Sequence, residues 1–508
     1  MKARNNFFIH ILLLLTLPLS WSCKDSFFEA SSQDGSINES SAFKSKKDFN
    51  SAVTSMYASI QGSAAAGERW ITIPGYISQD VVDVSVNPKP LVSFMTDANQ
   101  DFQIIWTELY KVVSSSNIVL SKLATIEDGV LTDAEKKSFT AQANFFRGFA
   151  YLSLARAFGD VPMLLESYSS SQNSLPCTPK AQVFAQAIKD ISESMENLPE
   201  ANDYAAVDKG RVSKGAALSY LAYAYMYAED WAKAKTSFES LFALTNPKYS
   251  LATSPRTPFS ILKKNMPEYL AENIFEVQFR DSKDWTAWGP DIITNSEGSF
   301  LAVLSAARNI GGDFDPWGGW GEYVVNKKAL DSYEPNDLRR KIMVIGHGDT
   351  YQGENMTRPV GPTDWAKCPQ TNAGFSTKYW LGLYNNDLSP QNLPQMRFAE
   401  VLLNYAEILF KLNNPASAYE YINKVRRRAS LADLPVSNNA DVFMQNLMDE
   451  RRHELLFEPN LWFHYTRTGT AAKFLLDKHG ITMQPNWINF PIPAREKSIN
   501  PNLCSNGY

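Results

Sequence analysis

Two stretches far apart in this chain repeat one helix–turn–helix pattern, and that repetition limits the fold more than any other feature. In "KGAALSYLAYAYMYAEDWAKAKTSFESLFALTNP", Ala217, Leu221, Ala224 and Ala228 fall on one side of a helix. Small side chains there let a neighbouring helix approach closely. After a turn near Asp230, Ala234 and Phe238 start a second stripe, and Pro247 closes the unit. In "EVLLNYAEILFKLNNPASAYEYINKVRRRASL", Val401, Tyr405, Ile408 and Leu412 line the first helix. Asn413 and Asn414 turn the chain, Pro415 takes the first position of the next helix, and Ala418, Ile422 and Val425 follow.

The A-x₃-F spacing of Ala234 and Phe238 is that of the second helix of a tetratricopeptide repeat. Such pairs bury their faces only against neighbours, so a stack assembled from separated segments is expected. A third helix is predicted in "LTDAEKKSFTAQANFFRGFAYLSLARAFGDVP". Thr132 and Glu135 have capping-box spacing, Phe145, Phe149 and Leu152 share a face, and Gly159 and Pro162 stop it.

The N-terminus reads differently. "MKARNNFFIHILLLLTLPLSWSC" has Lys2 and Arg4 before an apolar run from about Phe7 to Leu19. That run is short of the roughly 20 apolar residues a membrane span needs, and its basic start fits an export signal. "LSWSC" resembles a bacterial lipobox with Trp21 where a small residue is usual, which makes Cys23 the expected lipid attachment point. The expected order is a signal peptide at 1–22, a lipid-anchored tether at 23–42, a helical region at 43–250 and a second region at 251–508. Several acyl chains would anchor the protein stably, where a single chain anchors weakly. Cys177, Cys368 and Cys504 are too widely spaced for a metal site; they allow at most one bridge, and the sequence does not say which.

A net charge of −5 over 508 residues argues against nucleic acid as a partner. Between the helix pairs, at about 270–395, Gly, Pro, Asn and Trp accumulate, as in "DSKDWTAWGP" and "GGDFDPWGGWGEY". Loops of this length in a folded chain are usually functional. Trp285 and Trp288 lie three apart, as do Trp317 and Trp320, so these rings are candidates for flat platforms. A pyranose presents a C–H face that suits an indole, and a rim of hydroxyls that suits amides, carboxylates and guanidinium groups. Asp313 and Asp315 are expected to bond such hydroxyls. Trp70, in "GERWITIPG", is a further candidate. Each ring has core packing as its competing fate.

Several segments resemble the SusD/RagB family of surface glycan-binding lipoproteins. "WTELYKVVSSSNIVL" at 106–120, "FFRGFAYLSLARAFGDVPML" at 145–164 and "GRVSKGAALSYLAYAYMY" at 210–227 look like its N-terminal helices. "RFAEVLLNYAEILFKL" at 397–412, "ERRHELLFEPNLWFHYTRTG" at 450–469 and "NFPIPAREKSINPNL" at 489–503 look like its C-terminal signatures. The resemblance implies a mostly α fold, with four tetratricopeptide-like helix pairs at its base. The loop-rich region beside them would carry few short strands, and the later repeat helices fall at about 396–470. It implies outer-membrane anchoring at the cell surface and a SusC-like TonB-dependent transporter as partner. Oligosaccharide is the implied cargo, with peptide or glycopeptide as the alternative.

No enzymatic activity or cofactor is expected; a helical glycosidase using Asp313 and Asp315 is the lesser alternative, and a bound calcium stays open although no D-x-D-x-D-G loop is present. "HELLF" at 453–457 lacks the second histidine of a zinc helix, since Phe457 stands at i+4 and His464 lies past Pro459. The "RRR" at 426–428 ends a predicted helix, where cations suit the negative end of the dipole. Asp313 and Asp315 could make a glycosidase pair only if held about 5–10 Å apart across the bond, and acidic pairs beside turns are commonly turn-formers.

Overall fold

The computed structural model describes residues 43–84, 90–167, 174–260, 263–264, 266–280, 298–306, 320–346, 350–352, 357–359, 374–379 and 389–508. The signal, the tether and Cys23 lie outside these residues, as do Cys368 and much of the stretch 270–395. Both regions delimited above, 43–250 and 251–508, contribute to one unit running from Phe43 to Tyr508.

The fold is mostly α-helical. Its first seven long helices are α1 (Lys46–Gln61), α2 (Glu68–Ile77), α3 (Gln100–Ala124), α4 (Asp133–Phe158), α5 (Lys180–Met195), α6 (Lys214–Tyr227) and α7 (Trp231–Phe242). After the loop-rich stretch come α8 (Phe398–Lys411), α9 (Pro415–Arg428), α10 (Ala440–Leu455) and α11 (Leu461–Arg467). Local signals set many of their ends. Thr132 and Glu135 form the capping box of α4, Asp230 caps α7, and Asn414 caps α9 with Pro415 behind it.

Neighbouring helices pack in series, α3 on α4, α4 on α5, α5 on α6 and α6 on α7. The stack then jumps the sequence gap, because α7 packs on α8 and α8 pairs with α9. Aromatic rings seal that joint: Phe242 meets Phe398 at 5.8 Å and Tyr405 at 5.0 Å, both edge-on. The predicted stripes are buried, with one exception in each pair. Ala228 and Leu412 are exposed, because each is the residue on which its helix ends rather than part of its last turn.

The strands are short. β1 (Val81–Asp83), β3 (Tyr323–Val325), β4 (Val344–Gly346) and β5 (Gly374–Ser376) form an antiparallel sheet in the order β1-β3-β5-β4. β2 (Asn273–Val277) pairs with β6 (Leu393–Arg397), which runs directly into α8.

Beneath these elements lies a buried ionic core. Arg397 reaches Glu272 at 2.7 Å, Glu454 at 3.0 Å and Glu458 at 2.7 Å. Arg339 pairs with Asp337 and Glu450, and Arg428 with Glu272. Removing charges from water is costly, and it is tolerated here because each carboxylate meets a guanidinium or ammonium at hydrogen-bond distance. Burial alone would raise the Glu454 carboxyl, but Arg428, Arg397 and Arg339 hold it far below the usual range. The same device fastens the four-stranded sheet to the helices. Asp80, just before β1, pairs with Arg452 of α10 at 2.6 Å and with His479 at 3.1 Å.

The three arginines at 426–428 therefore do more than meet a helix dipole. Arg426 and Arg428 turn inward to Glu450 and Glu272, and only Arg427 stays at the surface. The helix carrying "HELLF" is structural. His453 is buried against the Ser332 hydroxyl at 3.1 Å, whereas His464 bonds Glu400 at 2.9 Å, so the two histidines face different partners.

Candidate functional site

Trp320 stands at the edge where the sheet meets the loop-rich stretch. Its backbone N–H donates to the Val303 carbonyl at 2.7 Å, and that of Glu322 donates to the Leu304 carbonyl at 2.8 Å. These bonds lay residues 320–322 along one turn of helix, Leu301–Ser305, whose Leu301 and Val303 are fully buried. Gly321 has φ +59°, a left-handed conformation that glycine adopts without a Cβ penalty, and it turns the chain from Trp320 into β3. The indole meets Phe300 edge-on at 5.1 Å and 82°. Trp320 is half-buried, held from one side and open on part of its surface.

Polar groups gather around the same strand. Arg69 reaches Asp101 at 3.0 Å, the Ser63 hydroxyl at 2.6 Å and Glu68 at 3.4 Å. Tyr323, three residues beyond Trp320, lies in the field of this group. Burial pushes its phenol up, Asp83 and Asp101 add to that, and Arg69 opposes it. Glu68 is buried, and burial lifts its carboxyl to about 8 despite Arg69 beside it. The side chains of Arg69 and Asp101 keep 22% and 31% of their surface, so both remain open to a ligand. A partly open indole, with a planar donor fork and a carboxylate near Tyr323 three residues further on, offers the kinds of group a sugar needs, for its apolar face and for its hydroxyls.

The other sequence candidates fare differently. Trp70 is not at a surface: it is fully buried in α2, stacked on Phe463 at 5.2 Å with the Arg156 guanidinium 5.0 Å from its centroid. Its ring faces are taken by protein, so it cannot receive a ligand. Trp285, Trp288, Asp313, Asp315 and Trp317 lie outside the described residues. Sequence reasoning passed over Arg69, Asp101 and Tyr323. Arg69 sits in the very "GERW" segment that drew attention to its neighbour, and only the fold shows which of the two residues points outward. The cysteines also resolve in part, because Cys177 and Cys504 form a disulfide joining the segment before α5 to the C-terminal tail.

Comparison with known proteins places this architecture. A model described as "SusD family" matches residues 271–508, and one described as "Starch-binding associating with outer membrane" matches residues 30–226. A SusD-like protein of Formosa agariphila is 27% identical across 98% of both chains. Among solved structures, a surface glycan-binding protein A from Bacteroides thetaiotaomicron in complex with laminarihexaose superposes with a TM-score of 0.73. It is 22% identical, over 91% of this chain and 99% of that one. A laminarin-binding SusD-like protein gives a TM-score of 0.74 at 22% identity, over 92% of this chain and 100% of that one. The chain belongs to the SusD/RagB family.

Proposed function

We propose that this protein is a cell-surface lipoprotein, attached to the outer membrane through Cys23, that captures oligosaccharide and delivers it to a SusC-like TonB-dependent transporter. The observation that carries the binding half of this reading is Trp320, fastened through its backbone to Val303 and braced by Phe300, yet only half-buried, three residues before the Tyr323 that lies in the field of Arg69 and Asp101. Relatives described as binding laminarin and laminarihexaose support a glycan cargo, and the family description "associating with outer membrane" supports the location. Trp285, Trp288 and Trp317 are proposed as further ring platforms, and Asp313 and Asp315 as hydroxyl partners. The activity is binding and transfer, with no bond made or broken. An open edge buries little of each ligand, so affinity in the micromolar range or weaker is expected.

Titration with a panel of neutral and acidic oligosaccharides, alongside mixed peptides, tests this reading. Saturable heat with at least one glycan is the expected result. Binding of peptides alone would overturn the cargo, and new reducing ends after long incubation would overturn the non-catalytic assignment.

A further inference from the structure

A ligand-sized space lies among the ends of the helices and shares no residue with the Trp320 edge. It is a cavity of about 380 Å³, within the size range of small-molecule pockets. The ends of several helices meet around it. Arg156 comes from the last turn of α4, Lys180 from the first of α5, Trp231 from the start of α7, Lys411 from the end of α8 and Arg467 from the end of α11.

Its charge runs against that of the chain. The protein carries a net −5, yet this lining holds four cations and two carboxylates, Glu229 and Glu407. Glu407 is already taken, bonded to Arg467 at 2.6 Å and to Arg451 at 2.8 Å. Within the lining, that leaves Glu229 as the one carboxylate not already paired, against Arg156, Lys180 and Lys411. Arg156 is the unusual member. It is 5% exposed, its Nη1 donates to the neutral Asn460 side-chain oxygen at 2.7 Å, and its Nε has no partner. Three rings hold it in place, Phe463 at 4.6 Å, Trp70 at 5.0 Å and Tyr223 at 5.6 Å. This guanidinium is fixed by aromatic faces with no carboxylate at ion-pair distance among the described residues, and the buried Glu400, reached through Asn460, opposes its charge only from a distance.

The lining also offers a ring. Trp231 is half-buried, with the Lys411 ammonium 5.5 Å from its centroid, and Thr466, Thr468 and Asn489 add neutral hydrogen-bonding groups. We propose that this cavity is a second carbohydrate site, selective for one acidic sugar unit whose anion is a carboxylate or a sulfate ester. The ring lies against Trp231 and the anion among Lys180, Lys411 and Arg156. The site is independent of the Trp320 edge, so either can fail without the other.

Calorimetric titration of the full chain tests it, with glucuronate, a galactose sulfate ester, glucose and inorganic sulfate as separate probes. At least one acidic sugar is expected to bind at least about tenfold more tightly than glucose or inorganic sulfate. Trp231→Ala and the double variant Lys180→Gln with Lys411→Gln should each weaken that binding about tenfold, and the lysine variant should also flatten its salt dependence. Trp320→Ala should leave it unchanged. Both lysines are exposed, so the double variant keeps its fold even if Trp231→Ala does not. The proposal fails if neither acidic sugar binds, or if glucose binds as well as they do. It fails equally if inorganic sulfate matches them without help from Trp231, which would mark an adventitious ion only. Loss of acidic-sugar binding in Trp320→Ala, with the lysine variant unaffected, would place that binding elsewhere and overturn it.

Discussion

The pair α6–α7 and the pair α8–α9 share one backbone pattern and are fastened by opposite means. Helix α6 buries Ala217, Leu221 and Ala224, and it holds Gly215 where an added Cβ would stand 2.2 Å from the Tyr249 hydroxyl. Apolar burial holds that pair, and the close approach at Gly215 seats the segment after α7 against it. Helix α8 buries Glu400, Asn404 and Glu407 at i, i+4 and i+7, a polar stripe beside its apolar one. Those groups meet His464, Arg451 and Arg467 from the C-terminal helices. An apolar face accepts many partners, whereas a buried polar group tolerates only a partner matched in hydrogen bonding or charge. The difference teaches that the second pair specifies which segments join it, and its ionic neighbours reach as far as β2 and the sheet bearing Trp320.

Breaking the ionic side should show the largest effect. Arg428→Ala leaves Glu272 and Glu454 short of a partner, and unfolding titration should show a loss of about 3–5 kcal/mol. Overpacking the apolar side should cost less. Ala217→Leu adds volume at a fully buried position, and a loss of about 1–3 kcal/mol is expected in the same titration.

A subtler separation comes from pH. Burial raises the Glu400 carboxyl from 4.5 to about 7, with Asn460 opposing and Glu458 adding, so the folded protein holds that proton more tightly than the unfolded chain does. Its contribution to stability is full below about pH 4.5 and is lost as pH rises through about 7. Glu407 runs the other way. Burial would raise it, but Arg467 and Arg451 bring it down to about 2, so its contribution is present above about pH 4.5 and lost as pH falls through about 2. Melting curves across this range should show Glu400→Gln flattening only the neutral limb. The smallest effect is expected at Arg427, whose partners Glu420 and Asp433 are all about half exposed. Arg427→Ala should melt with the wild type. Equal losses at Arg427 and Arg428 would erase the distinction between buried and surface arginines.

The same contrast explains what the sequence made legible. Helix ends were readable at Thr132, Asp230 and Asn414 because caps act within a few residues. That separated helix pairs stack followed from stripes that no single pair can bury, while the contact of α7 with α8 needed the fold. The fates of Trp70, Arg426 and Arg428 were not readable, since each is decided by partners distant in sequence: Arg156 and Phe463 for Trp70, Glu450 for Arg426, Glu272 and Glu454 for Arg428. Trp320 was readable as an irregular-segment ring, but Arg69 and Asp101 come from α2 and α3 and needed the fold to bring them together and into the field of Tyr323.

Glycan capture at the Trp320 edge is the central claim, and calorimetric titration of Trp320→Ala beside the wild type, with whichever oligosaccharide the panel selects, tests it most directly. The account predicts about tenfold or greater loss of affinity with an unchanged melting temperature. Undiminished affinity in that variant would contradict it.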